Sequence, residues 1–400
     1  MRAGRRKMKN TAKILPCYAA DTSGVCSALY ELGGMTVVHD ASGCNSTYST
    51  HDEPRWYDRP SKIYISALTE MDAVMGNDEK LISDTVETAL SQRPEFIALC
   101  GSPMPMMTGV DFDALAAEIE ARSGIKTLPL HTNGTKSYLD GAGEAFEAIV
   151  REFVSGCDKA KGIGVNVLGA TPLDLPSLES AQSIKTWLRE SGFEQVCSLA
   201  MGSTLDEVRR AASARVSLVL SQSGIPAAKL LKKRFGIPYV CGLPVGKEFS
   251  AEIARSLYLA ANEGCCLYPC LERKSDPEGI LCVGEAVTAG SFAAAVSKET
   301  LHGARVAVTL ECDGELLGQD DKLLTAEEDI EKELCGSCEG ALGDPMFGYL
   351  MPREKELYSL PHFAMSGRCY QRSMRDVICA PQDKLLEEIK LPYGRAEGKN

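Results

Sequence analysis

The sequence predicts an α/β protein built from three consecutive units with mostly parallel sheets. Three observations predict it. Short apolar runs of strand length alternate with amphipathic helical patterns along most of the 400 residues. The chain is long enough for two or three domains at roughly 150 residues each. Its hydrophobic content of 44% supplies several buried cores.

Residues 1–13 form a basic tail, with Arg2, Arg5, Arg6, Lys7, Lys9 and Lys13 among almost no apolar residues. Such a tail is expected to fray. The first unit spans residues 14–158, with strands at 35–39, 62–68, 96–100 and 127–130 and helices at 79–90 and 112–121. Leu81, Ile82, Thr85, Val86, Ala89 and Leu90 recur along one helix face. The middle unit spans 159–264, with strands at 163–168, 195–199, 216–220 and 239–241 and helices at 178–191, 204–212 and 227–235. Gly236 stops the last of these helices, and Pro238 favours an extended chain after it. A long helix over 247–263 bridges to the third unit, 265–400, with strands at 280–283, 306–310 and 362–365. Its acidic stretch 311–339 holds a surface helix near 326–334. The three units are alike in architecture without repeating in sequence.

A formal net charge of −12 excludes a chain that coats itself on nucleic acid, which requires Lys and Arg fields. No apolar run follows the basic start as a secretory signal would require, and no membrane-spanning apolar run occurs. The expected location is cytoplasmic.

Sixteen cysteines are the outstanding feature of the composition. In a long chain without an export signal they are expected to stay as free thiols. Cys197, Cys241 and Cys282 lie singly in apolar runs and read as core packing. Three other segments share one design. Pro16-Cys17-Tyr18 precedes a helix running through Cys26 and Tyr30, and the loop from His39 to Gly43-Cys44 follows a strand. Cys100-Gly101-Ser102-Pro103 ends another strand. Sites in open parallel sheets collect outside the carboxyl ends of strands, where Gly43 and Gly101 would let backbone approach an inorganic cluster. Spacing alone leaves two readings open: one shared metal site, or three small core residues.

Further candidates lie outside these loops. Cys265, Cys266 and Cys270 form one group, and Cys335-Gly-Ser-Cys338 is a C-x2-C pair able to chelate a metal or one edge of a second cluster. A redox dithiol and a structural role are the alternatives for the pair. Arg368, just before Cys369, with Arg372 and Arg375 between Cys369 and Cys379, makes a basic spot, read as a solvated face or an anion receiver. His51, Asp52, Glu53 and Arg55 read as a solvated polar loop or as a place for proton supply or docking. Gly246-Lys247 lacks the spacing and hydroxyl of a phosphate loop.

These motifs together resemble the nitrogenase component 1 superfamily. The carrying segments are Cys17-Tyr-Ala-Ala-Asp-Thr-Ser-Gly24, His39-Asp-Ala-Ser-Gly-Cys44, and Pro94 through Cys100 running on to Gly109, Val110 and Asp111. Leu68-Thr-Glu70 with Gly76 and Leu81 adds to them, as do Ala214 to Ser221, Phe235-Gly-Ile-Pro238, Gly242 to Gly246 and Tyr358 to Pro361. The resemblance covers most of residues 14–380.

It implies three Rossmann-like domains and an iron–sulfur cluster held by Cys17, Cys44 and Cys100 at a subunit interface. The cluster is either [4Fe–4S] or a larger P-cluster-like one. The chain would form a homodimer or a heterodimer with a related subunit. It would act as an oxidoreductase component taking low-potential electrons from an ATP-dependent iron-protein-like partner. The alternative is a scaffold or carrier for metal-cofactor assembly. Ser221 stands where the catalytic nitrogenase subunit has its molybdenum-cofactor cysteine, so a nitrogenase-type molybdenum cofactor is not expected. His302 and His362 are the possible counterparts of the family's cofactor histidine.

Overall fold

The computed structural model describes residues 12–390 except 42, 44–46, 160, 176 and 380–383. Three sheets follow one another along the chain. The first contains β1 (Met35–His39), β2 (Ile63–Ile65), β3 (Ile97–Gly101) and β4 (Thr127–Leu130), in spatial order β2-β1-β3-β4. The second contains β5 (Gly164–Ala170), β6 (Glu194–Ala200), β7 (Val216–Val219) and β8 (Tyr239–Cys241), in order β6-β5-β7-β8. The third contains β9 (Ile280–Gly284), β10 (Ala304–Val308), β11 (Lys322–Leu323), β12 (Gly340–Gly343) and β13 (Glu356–Ser359), in order β11-β10-β9-β12-β13. All pairings between these strands are parallel. The central strands are buried at every position, which explains their continuous apolar runs. In each sheet the winding direction reverses beside the first strand, at β1/β3, β5/β7 and β9/β12. The crevices at the carboxyl ends of these pairs are the natural ligand positions of such sheets.

The first helix, Asp21–Leu29, lies against Tyr138–Phe153 with bare backbone at the crossing. A Cβ on Gly24 would stand 2.1 Å from the Tyr138 carbonyl oxygen, and one on Gly141 would stand 1.9 Å from that of Asp21. No helix among the described residues is long and apolar enough to cross a membrane.

The strand expected at 362–365 is instead a short helix, Phe363–Ser366. Asp344, just after β12, accepts hydrogen bonds from the His362 N–H (2.8 Å) and the Ser366 hydroxyl (2.8 Å) and so turns the chain back. Its apolar residues are all buried, so period alone could not separate helix from strand. The last strand is β13. β12 escapes the sequence reading because half of it is glycine. The helices Tyr138–Phe153 and Ala286–Glu299 also escape it. The second is buried at every position from Ala286 to Val296 and shows no polar face. The end of the basic tail does not fray: Lys13 Nζ pairs with Glu331 at 2.5 Å, and the Ile14 N–H donates to Glu327 at 2.9 Å. Residues 1–11 lie outside the described residues.

Candidate functional site

The crevice between β1 and β3 is built from hydrogen bonds at strand ends. Asp40 follows β1 and Ser102 follows β3, and the Ser102 hydroxyl donates to Asp40 Oδ1 at 2.5 Å. The Gly101 carbonyl accepts from the hydroxyls of Thr22 (3.1 Å) and Thr132 (2.8 Å). Asp21 opens the first helix, and its carboxylate accepts from the N–H groups of Asn133 (2.9 Å) and Gly134 (2.8 Å) beyond β4. The helix start and the ends of β1, β3 and β4 therefore form one unit.

Cys17 stands at the entrance to that helix. Its half-buried Sγ lies 3.3 Å from the Ala19 carbonyl and 3.4 Å from that of Ala364. The Ala364 oxygen also accepts from the N–H groups of Tyr18 (2.8 Å) and Ala19 (3.0 Å), so the third unit holds the Cys17 segment in place. Cys100 is the penultimate residue of β3, wholly buried, with its thiol 3.6 Å from the Val37 carbonyl. Burial pushes the Cys17 thiol up to about 12 and holds Cys100 well above the ordinary thiol range. Thiols so placed are neutral until a metal replaces the proton, and as soft sulfur donors they suit iron. Cys44 lies outside the described residues. Among the described residues, no three His, Cys, Asp or Glu side chains converge as a metal-holding group.

Of the two glycines, Gly101 has a different reason from the one the sequence suggests. A Cβ on Gly101 would meet the Phe112 ring at 2.7 Å and the Thr132 carbonyl at 2.8 Å, so this chain's own packing already requires glycine there. Beyond its chain neighbours, no atom of the described residues lies within 4 Å of the corresponding position on Gly43.

The remaining candidate cysteines are spread out. Cys335 is exposed at the carboxyl end of the helix Glu327–Leu334, while Cys338 is buried with Lys355 Nζ 3.5 Å from its sulfur. Cys265 and Cys266 are half-buried, and Cys270 is buried with its carbonyl against Gly290. Cys197, Cys241 and Cys282 are all buried. Gly246 leads into the helix Lys247–Glu263, whose Glu248 N–H donates to Glu299 at 3.0 Å. A carboxylate of the chain thus already occupies that helix start.

The segment expected to be a solvated loop is buried. Asp52, Glu53 and Arg55 are each less than a tenth exposed. Arg55 reaches Glu53 at 2.7 Å, Glu31 at 3.2 Å and the Ser27 carbonyl at 2.6 Å. A buried arginine requires such partners. Arg368 of the basic spot pairs with Asp52 at 3.1 Å.

A second polar cluster lies where the carboxyl ends of the second and third sheets face each other. Asp174 accepts from the hydroxyls of Tyr138 (2.5 Å), Thr171 (3.0 Å) and Ser221 (2.9 Å). The Ser221 and Ser223 hydroxyls lie 2.7 Å apart. Glu285, just after β9, accepts from the Gln222 N–H at 2.9 Å. His362 Nε2 stands 3.8 Å from Asp174 Oδ1, and neither ring nitrogen has a hydrogen-bond partner among the described residues. Burial and the neighbouring Glu285 push Asp174 up to about 7, while burial pushes His362 down to about 4. A hard, engaged hydroxyl at Ser221 does not suit the soft site of a molybdenum–sulfur cofactor. Tyr138, Asp174 and Glu285 were not legible as site residues, because no local motif marks them.

Comparison with known proteins agrees with the fold. The family described as nitrogenase component 1 type oxidoreductase matches residues 23–316. The nitrogenase iron-molybdenum cofactor biosynthesis protein NifE of Clostridium pasteurianum is 27% identical over 241 residues, covering 58% of this chain and 52% of that protein. The nitrogenase molybdenum-iron protein beta chain of Methanothermobacter thermautotrophicus is 23% identical over 252 residues, covering 56% and 54%. The chain thus spans about half the length of these two relatives. A component of the light-independent protochlorophyllide reductase of Heliobacterium modesticaldum is 22% identical over 251 residues, covering 62% and 47%. The solved structure titled "Nitrogenase Cp1 at pH 6.5" superposes with a TM-score of 0.69 at 14% identity over 97% of this chain and 94% of that one, a likeness of fold. With its three parallel sheets and a family match over more than half its length, this chain belongs to the nitrogenase component 1 type oxidoreductases.

Proposed function

We propose that this protein is an iron–sulfur reductase component. In this reading Cys17, Cys44 and Cys100 hold a [4Fe–4S] or larger cluster, and an iron-protein-like ATPase delivers single electrons to it. The supporting observation is the hydrogen-bonded unit at the first crevice. It gathers the helix start behind Cys17, the strand end that leads to Cys44 and the strand end that carries Cys100. Bound there, the cluster supplies one-electron chemistry. The residues of the chain exclude water around Cys100 and fix the backbone on either side.

Partner docking has support beside the crevice. The helix Glu70–Met75 has no buried residue, yet it carries Met71, Val74 and Met75, each more than two thirds exposed. It touches the helix Pro103–Thr108, where Met107 is 79% exposed. Exposed apolar side chains at this density mark an interaction surface, and methionines adapt to a partner. A second copy or a related subunit is the occupant this reading assigns.

The second reading is a scaffold for metal-cofactor assembly. The likeness to NifE and the engaged hydroxyl at Ser221 favour it. In either reading a second cluster at Cys265 and Cys266, or at Cys335, would take its remaining ligands from another subunit, since these and the buried Cys270 and Cys338 do not converge as a metal-holding group among the described residues.

Anaerobic purification followed by iron, acid-labile sulfide and EPR measurement tests the cluster. Folded protein without iron would end both readings. ATP-dependent oxidation of the partner ATPase in a reconstituted mixture separates them, since a reductase turns over electrons and a scaffold does not.

A further inference from the structure

We propose that Asp52 is a positioning residue for the cysteine-bearing site, its two carboxylate oxygens tying the Cys17 segment, the turn after Cys44 and the third domain to one another. The inference rests on the iron–sulfur reading and names which side chain sets the geometry of that site. Asp52 is 8% exposed, and each oxygen has its own partner. Oδ2 accepts from the Tyr18 hydroxyl at 2.6 Å. Oδ1 faces Arg368 Nε at 3.1 Å.

Tyr18 is fixed by contacts of its own, and they reach the segment that carries Arg368. Tyr18 follows Cys17 directly, and its N–H donates to the same Ala364 carbonyl that Cys17 Sγ approaches. Its ring packs over Gly367, where a Cβ would stand 3.4 Å from it and where φ is +57°. Arg368 follows Gly367 and is carried by the same segment as Ala364. On the other side, the Asp52 N–H donates to the Thr47 carbonyl at 3.1 Å and the Glu53 N–H to that of Thr50 at 3.0 Å. This closes a turn that begins three residues after Cys44. The buried Glu53–Arg55–Glu31 group anchors the turn to the first helix and, through the Ala200 carbonyl, to the second domain.

A carboxylate taken from water and given a neutral donor on one oxygen and a guanidinium on the other costs free energy unless both are held. Both are present here, on segments 34 and 316 residues away in sequence, with Tyr18 seated by its own contacts and Arg368 reaching in from a half-exposed position. Each oxygen is engaged with the chain's own donors, so the role is geometric. The reason this loop reads as solvated in the sequence is that its partners are so distant.

The test uses the full chain purified without oxygen. Iron per chain, the EPR spectrum of the dithionite-reduced protein and the midpoint potential are compared for wild type, Asp52→Asn, Tyr18→Phe, their double variant and Asp52→Glu. Melting of the iron-free proteins is followed in parallel. The expected result is at least a threefold loss of iron, or a shifted EPR spectrum and potential in what remains, for each single variant. The double variant should be no worse than the poorer single one, and Asp52→Glu should recover part of the loss. Wild-type iron, spectrum and potential in Asp52→Asn and Tyr18→Phe would overturn the inference and leave the cluster reading standing. Iron loss that merely follows the melting point, matched by a remote variant of equal stability, would also overturn it. An iron-free wild type would overturn the cluster reading and the inference together.

Discussion

The Asp174–His362 pair makes a prediction whose sign can be worked out completely. Asp174 rises from 3.8 to about 7 in the folded protein, with burial the largest cause and Glu285 the next. A carboxyl raised in this way contributes most below its unfolded value, and its contribution fades as pH climbs through the folded value. His362 falls from 6.5 to about 4 through burial. Its contribution is complete above the unfolded value and fades as pH drops. The two therefore slope in opposite directions across the same window, between about pH 4 and 7. At about 1.4 kcal/mol per tenfold change in proton affinity, the Asp174 effect is on the order of 4 kcal/mol and the His362 effect on the order of 3 kcal/mol. The perturbations are Asp174→Asn and His362→Gln, each replacing a titrating side chain with a neutral one of similar shape. Lost hydrogen bonds add an offset that does not vary with pH. Glu285 shifts in the same sense as Asp174 and remains in both variants; its titration largely cancels from the His362→Gln difference, whereas the Asp174→Asn difference reads the Asp174–Glu285 pair together. Denaturant midpoints followed by circular dichroism at half-unit pH steps provide the assay. The stability of wild type relative to His362→Gln should grow as pH rises from 4 to 6.5. The stability of wild type relative to Asp174→Asn should shrink from pH 4 to 7. Two flat differences, or two of the same sign, would refute the electrostatic account of the junction.

Further variants probe the rest of the structure. Cys17→Ala, Cys44→Ala and Cys100→Ala should each lose most iron on anaerobic purification, whereas Cys26→Ala should keep it. Loss of iron from a folded Cys26→Ala protein would reverse the choice of ligand. Gly141→Ala forces a methyl against the Asp21 carbonyl and should cost roughly 1–3 kcal/mol, read as a lowered denaturant midpoint. An unchanged midpoint would show that the two helices part easily. Arg55→Met leaves Glu53 buried without its cation and should cost roughly 3–5 kcal/mol, while Arg59→Met on the exposed flank should cost far less. Equal losses would mean that burial of the pair is irrelevant.

The layered fold was legible because buried parallel strands leave continuous apolar runs. β1, β4, β8 and the helix Lys247–Glu263 fall where the sequence places them, each bounded by glycine, proline or polar residues. Legibility fails where burial is complete on all sides or where glycine removes the signal. Ala286–Glu299 has no solvated stripe to set a helical period, and β12 begins and ends in glycine. The first crevice was half legible. Cys17 and Cys100 stand in local motifs, but the groups that hold their backbone are Asp21, Thr132, Ala364 and Asp52, which chemistry of sequence neighbours does not reveal. The same holds for the second cluster, where Tyr138, Asp174, Glu285 and His362 come from distant segments and meet only after the domains pack.

The side chain at residue 221 is one of the hydrogen-bonding groups that set that second cluster. Ser221 donates to a carboxylate 2.9 Å away, an arrangement that suits a neutral hydroxyl. A cysteine placed there would have to ionise beside Asp174 before holding a soft metal, and a nearby carboxylate disfavours a thiolate. Asp174 in turn is held by Tyr138 and Thr171, so its carboxyl group is not free to move aside. The hydrogen-bonded set and the thiolate site are alternatives for one position. A thiol at residue 221 would therefore meet the same carboxylate unless residue 174 changed with it.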